Sequence, residues 1–117
     1  MKYSNTVGRR FNVFGKLIAM SYSELFLAWL MVNTAFAALY FTLNLTHPAH
    51  APNLPASMSL GERLYDCFYF SFTTATTIGF GEIIPLGFSK MLVVIQSTLA
   101  LLIFTVLVGK LVQSKAK

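Results

Sequence analysis

The chain alternates between polar and apolar stretches of very different length. Residues 1–7 are polar. From Gly8 to Met20, Phe11, Phe14 and Leu17/Ile18 recur at helical spacing while Arg9, Arg10 and Lys16 fall off that stripe. The pattern predicts an amphipathic helix over 8–20 lying in a membrane interface, with a frayed basic tail as the plainer alternative. Leu25 to Leu45 carries no charge. At about 1.5 Å rise per residue it reaches roughly 30 Å, the thickness of a bilayer's hydrocarbon core, and predicts a first spanning helix over 25–45. Trp29 falls inside that span; Tyr22 and Tyr40 are the expected interface anchors. Met91 to Val108 is the second uncharged run and predicts a second span over 88–112. Between the spans, Thr46 to Pro55 reads as a loop holding three of the chain's 4 prolines. Leu60 to Thr76 follows as an aromatic helix whose apolar part is too short to cross a bilayer and ends in threonines. A helix that enters the membrane and stops partway is re-entrant. Both Ser21-Tyr-Ser-Glu24 and Ser59-Leu-Gly-Glu62 have the S-x-x-E form that starts helices.

Composition narrows the class. Hydrophobic residues make up 56% and charged residues 11% of the 117 residues. That excludes a disordered chain and leaves too thin a polar shell for a small soluble domain. The net charge of +5 sits at the two ends: Lys2, Arg9, Arg10 and Lys16, then Lys110, Lys115 and Lys117. Basic flanks around an apolar body are the pattern of a cell-membrane protein with both termini cytoplasmic and an even number of spans. They do not form a nucleic-acid patch, and the N-terminal group suits anionic lipid. Cys67 is the single cysteine, so no disulfide forms within the chain; it is expected to be buried, with an inter-subunit bridge as the alternative. His47 and His50 lack further ligands nearby and read as loop residues rather than a metal site. Asn44-Leu-Thr46 fits a glycosylation sequon but abuts the membrane. Neither a nucleophile–base pair nor a phosphate loop is present, so an enzyme is not expected, and with no arginine ladder in a span neither is a voltage sensor. Only Gln113 to Lys117 follow Leu111-Val112, so a cytoplasmic sensor domain is not expected.

The informative segment is Thr76-Thr-Ile-Gly-Phe-Gly-Glu-Ile-Ile-Pro85. Irregular backbone at membrane depth is tolerated only when buried in protein or lining a water-filled path. Gly79 and Gly81 alternate and can both adopt positive φ. Residues that alternate in handedness point successive carbonyls the same way, and Thr77 adds a hydroxyl to the row. Repeated around an axis, such a row replaces a cation's hydration shell. The re-entrant helix would aim its negative C-terminal end at the same axis. A tight turn between two helices is the bland reading of Gly-Phe-Gly alone; the flanking context argues against it.

Asp66-Cys-Phe-Tyr-Phe-Ser-Phe-Thr-Thr-Ala-Thr-Thr-Ile-Gly-Phe-Gly-Glu-Ile-Ile-Pro85 resembles the pore helix and filter of potassium channels. Thr77, Ile78, Gly79, Phe80 and Gly81 match the family's T-x-G-F-G form residue by residue, and the likeness runs from about Leu25 to Val112. The resemblance implies a homotetramer, with K⁺ held at Thr77, Ile78, Gly79 and Phe80. It implies filter support from Thr76, Glu82, Tyr69 and Phe70. The two spans, with Gln96-Ser97 and Gly109 in the second, resemble those of inward rectifiers, whose slide helix would correspond to residues 8–20. Three features depart from that branch: its cytoplasmic β-rich domain is absent, Ala100 stands at the hinge-glycine position, and Phe104 stands near the cavity acid of strong rectifiers. Block by polyamines or Mg²⁺ should therefore be weak. The two-span plan equally resembles minimal viral and bacterial pores. Phe104, Thr105 and Val108 line the cavity and gate or simply pack; spacing does not decide.

The expectation is an all-α membrane protein: one pore domain over 1–117, with two spans flanking a re-entrant helix over 60–76 and a filter over 77–81. It would conduct K⁺ passively as a homotetramer, without a cofactor. The rivals are a non-selective cation channel and a non-conducting scaffold or regulatory subunit.

Overall fold

The computed structural model describes residues 15–116. Of the predicted interfacial helix, residues 8–14 lie outside this range, and 15–19 are helical. Helix α1 runs Tyr22–Thr46 and a short 3₁₀ turn Pro48–His50 follows it. Helix α2 runs Leu60–Ala75 and helix α3 Ser89–Ala116. The long helices are antiparallel, since Tyr22 reaches Lys110 and Tyr40 reaches Gln96. Helix α2 packs against both.

Local chemistry sets the ends. The Ser21 and Ser59 hydroxyls each accept the N–H of the glutamate three residues on, Glu24 and Glu62, at 3.3 Å. Helix α1 stops where His47 donates its N–H to the Leu43 carbonyl and Pro48 follows, which has no N–H to continue the ladder. Helix α3 starts two residues after Gly87, whose φ is +54°. It extends past the predicted end at residue 112, because no helix breaker follows Gly109.

Helices α1 and α3 have mean hydropathies of 1.7 and 2.5 over membrane-length windows, of which only 22% and 17% is buried. The central helix of a soluble domain would be mostly covered. Here Phe26, Met31, Met91, Val94 and Leu101 face outward. The chain is a multi-pass membrane protein, with two spans among the described residues.

The core is small. Tyr40, Cys67 and Phe70 are buried together, flanked by Phe36, Phe41, Leu54, Ile83, Leu92 and Val93. The placement of Tyr40 corrects the sequence reading. It is not an interface anchor: its ring lies edge-on to Phe70 at 5.1 Å, and its hydroxyl donates to Gln96 Oε1 at 2.7 Å. A buried polar partner on α3 turned the phenol inward. Tyr22 is exposed and donates to the Lys110 carbonyl. Trp29 stacks on Phe26 and meets Phe72 edge-on.

The connection between α1 and α2 is not a free loop. Asn53 donates its N–H to the Ile84 carbonyl at 2.9 Å, and Leu86 donates to Ala51 at 3.2 Å, with Pro52 and Pro85 bridged between them. Arg63 donates to the Asn44 side chain and to the Pro55 and Ala56 carbonyls. His50 Nδ1 accepts the N–H of Phe88 at 3.1 Å. Among the described residues no group of three or more metal-ligating side chains converges.

Candidate functional site

The segment after α2 is built by that helix's own C-terminal carbonyls. Thr76 caps it, with its N–H on the Phe72 carbonyl. Thr77 donates its N–H to the Thr74 carbonyl and Gly79 donates to the Thr73 carbonyl, each at 3.2 Å. The helix therefore grips the first residues of the irregular strand and turns it back along its own end.

The strand alternates in handedness. φ is +63° at Thr77, +47° at Gly79 and +85° at Gly81, with no positive φ at Ile78 or Phe80. The glycines adopt this region without cost. Thr77 does not: a left-handed L-residue costs about 1–2 kcal/mol, and a β-branched one is an outlier. No residue-type signal predicts the turn at Thr77; it is imposed by the two hydrogen bonds that bracket it. The Thr77 hydroxyl donates to the Thr76 carbonyl at 2.6 Å. In this single chain Ile78 and Phe80 are 57% and 68% exposed, so the strand presents an open edge.

The neighbouring threonines do not form a polar lining. The Thr73 and Thr74 hydroxyls both donate to the Phe70 carbonyl, and the Thr76 hydroxyl donates to the Phe72 carbonyl. Each hydroxyl satisfies itself on its own helix, as apolar surroundings require.

The two aromatics expected behind the strand, Tyr69 and Phe70, line one small pocket with Gly79, Phe80, Gly81 and Glu82. The Tyr69 ring stacks on Phe80 at 6.3 Å with the planes 7° apart. Tyr69 lies outside the two spans, and the Glu82 carboxylate facing its hydroxyl pushes its pKa up to about 12, with partial burial adding to the shift. Phe70 is buried between that pocket and the core, edge-on to Tyr40. Pro85 and Ile84 at the strand's exit are tied to residues 51–53.

At the inner end, a cavity of about 410 Å³ brings Thr76 and Thr77 together with Phe26, Trp29, Leu101, Phe104 and Leu107. Phe104 thus shares a cavity with the first residues of the strand. Thr105 and Val108 are outside the lining of this cavity, and the Thr105 hydroxyl donates to the Leu101 carbonyl.

One constellation was not anticipated as a unit. Asn33 on α1, Ser71 on α2 and Gln96 on α3 are fully buried and hydrogen-bonded to one another, with Tyr40 completing the set. The available signal was the presence of Asn33 and Gln96 inside otherwise apolar spans, where an amide needs partners.

No curated protein matches the chain. A family described as "Ion channel" matches residues 25–115, which covers α1 except its first residues, α2, the irregular strand and all but the last residue of α3. The chain, with its two spans and the short helix between them, belongs to that ion-channel family.

Proposed function

We propose that the protein is a potassium-selective channel subunit that conducts passively as a homotetramer. The observation that carries this reading is the alternation of positive φ at Thr77, Gly79 and Gly81 at the C-terminal end of a helix too short to cross the membrane. Alternating handedness turns the carbonyls of Thr77, Ile78, Gly79 and Phe80 to one side. Carbonyl rows substitute for the hydration shell of a desolvated cation, and the electronegative end of α2 adds to the attraction. One chain supplies one row and leaves it exposed; four copies around an axis would close a cage. Thr76, Tyr69, Phe70 and Glu82 support the row from behind, and Phe104 lines the cavity at its first residues. Both termini are cytoplasmic in this arrangement, because the basic residues gather there. Partners are three further copies and the bilayer, with anionic lipid at the basic N-terminal segment.

The experiment is reversal potential in planar bilayers under opposed K⁺ and Na⁺ gradients, with Ba²⁺ added last. Reversal near the K⁺ potential and block by Ba²⁺ are expected. Reversal near zero with sustained current refutes selectivity and makes the protein a non-selective cation channel. A purified, membrane-inserted tetramer that passes no current at any voltage refutes conduction.

A further inference from the structure

The buried amide–hydroxyl cluster joins all three helices at one point. Gln96 Oε1 accepts from the Tyr40 hydroxyl at 2.7 Å. Gln96 Nε2 faces Asn33 Oδ1 at 3.0 Å, the Ser71 carbonyl at 2.9 Å and Ser71 Oγ at 2.7 Å. The Ser71 hydroxyl donates to the Asn33 carbonyl at 2.7 Å, and Asn33 Nδ2 donates to the Trp29 carbonyl at 2.8 Å. The direction of every bond is forced. Flipping the Gln96 amide would set its oxygen against the Asn33 oxygen and the Ser71 carbonyl. The Ser71 hydroxyl spends its proton on Asn33 and can only accept from Gln96. Asn33, Tyr40, Ser71 and Gln96 are all fully buried. The two Gln96 Nε2 protons are shared among three acceptors, and a network so closely matched fixes one register of three helices.

Its place in the chain gives it reach. Ser71 lies two residues before Thr73, whose carbonyl holds the Gly79 N–H, and three before Thr74, whose carbonyl holds the Thr77 N–H. A helix is stiff over so short a distance. Where Ser71 is set, the anchors of the carbonyl row are set as well.

We infer that Gln96 is a positioning residue for ion selection: it acts through Ser71 to hold α2 at the height and rotation that keep Thr77 and Gly79 in their left-handed conformations. Gln96 touches no permeating ion. This rests on the potassium reading above, so the test carries a readout independent of selectivity.

The variants are Gln96→Met, which keeps side-chain length and removes every hydrogen bond, Ser71→Ala, which keeps the helix, and the double variant. Each is reconstituted as the full chain. Gln96→Met is expected to lower the K⁺/Na⁺ permeability ratio of assembled, conducting pores about tenfold, the scale on which coupled buried hydrogen bonds act. Ser71→Ala lowers it less, because the Gln96 bond to the Ser71 carbonyl survives, and the double variant falls below Gln96→Met only by the lost bond from the Ser71 hydroxyl to Asn33. In parallel, amide hydrogen exchange at Thr77 and Gly79, read by mass spectrometry, accelerates about tenfold in Gln96→Met. Gln96→Met pores with the parent permeability ratio and parent exchange overturn the proposal, even if their thermal stability falls. Effects of the two single changes that multiply in the double variant overturn the route through Ser71. If Gln96→Met does not assemble, Ser71→Ala with unaltered ratio and exchange overturns it. A non-selective parent protein sinks the potassium reading alone, and the exchange comparison then decides the role of Gln96.

Discussion

Replacing Gly79 by alanine separates space from conformation. A Cβ built at Gly79 meets none of the described atoms within 4 Å, so the substitution creates no overlap inside its own chain. What it meets is φ = +47°. An L-residue held there costs about 1–2 kcal/mol more than glycine. Against a folding stability of about 5–15 kcal/mol that is tolerable, so insertion and assembly should persist. The strain has an easy escape, however. Rotating to negative φ relieves it and swings a carbonyl out of the row. A bias of 1–2 kcal/mol shifts that equilibrium roughly 5- to 30-fold in each strand. The proposed pore needs four strands in register at once, and the low end of that range compounds to roughly 600-fold. The assay is K⁺ flux into reconstituted vesicles, with tetramer yield from size-exclusion chromatography on the same preparation. Gly79→Ala is expected to give parent-like yield and flux below about 1% of the parent. Gly61→Ala, at a helical position with nothing near its Cβ, serves as the control and should leave flux unchanged. Parent-like K⁺ flux through Gly79→Ala would refute the conformational argument and with it the filter assignment.

Other positions should fail differently. Gly87→Ala adds a Cβ at 2.7 Å from the Ala49 carbonyl and against the His50 ring, at φ = +54°. It should cost about 2–4 kcal/mol and reduce tetramer yield, seen as aggregation or a lowered Tm, whereas unchanged Tm would show that the loop gives way. Lys110 donates to the Met20 carbonyl and lies 5.4 Å from the Tyr22 ring centre. Lys110→Met should lower the thermal midpoint in detergent by a few degrees, the result of losing about 1 kcal/mol at a partly exposed site. The raised Tyr69 hydroxyl makes a pH prediction. Its contact with Glu82 contributes fully below pH 10 and is lost as pH rises through about 12. Phenolate absorbance should show Tyr69, identified by its loss in Tyr69→Phe, titrating near 12 in the parent and nearer 10 in Glu82→Gln. An unshifted titration in Glu82→Gln would remove Glu82 as the cause.

The two spans were legible because a bilayer makes one demand, a long uncharged helix, and the chain answers it twice. The helix starts were legible because Ser21 and Ser59 carry their capping chemistry locally. The alternation at Gly79 and Gly81 was legible because glycine is the residue that takes positive φ freely. What was hidden is what depends on partners distant in sequence. Thr77 is left-handed because α2 holds it so, against its own preference. Tyr40 has the amphipathic character of an interface residue, and only Gln96, far along the chain, turns it inward. Residues 51–53 look like loop because Pro52 lies between Pro48 and Pro55, and their pairing with 84–86 is a tertiary contact that no local pattern encodes.

A membrane removes the force that usually chooses which faces meet. Lipid tails are as apolar as leucine, so burying one side of α1 rather than another gains little from the hydrophobic effect. Packing and polar satisfaction must choose instead. Buried aromatics supply much of the packing, but rings such as Phe36 and Phe70 tolerate small rotations and slips. The amides of Asn33 and Gln96 do not, because each has donors and acceptors that must all find partners, and a slip of one residue breaks several bonds together. Such a fixed joint is needed where the adjacent backbone is strained. Thr77 persists in a conformation it disfavours only while the surrounding structure over-determines it. Polar residues in the apolar spans and strain in the irregular strand are therefore two sides of one arrangement: the first holds the helix that holds the second.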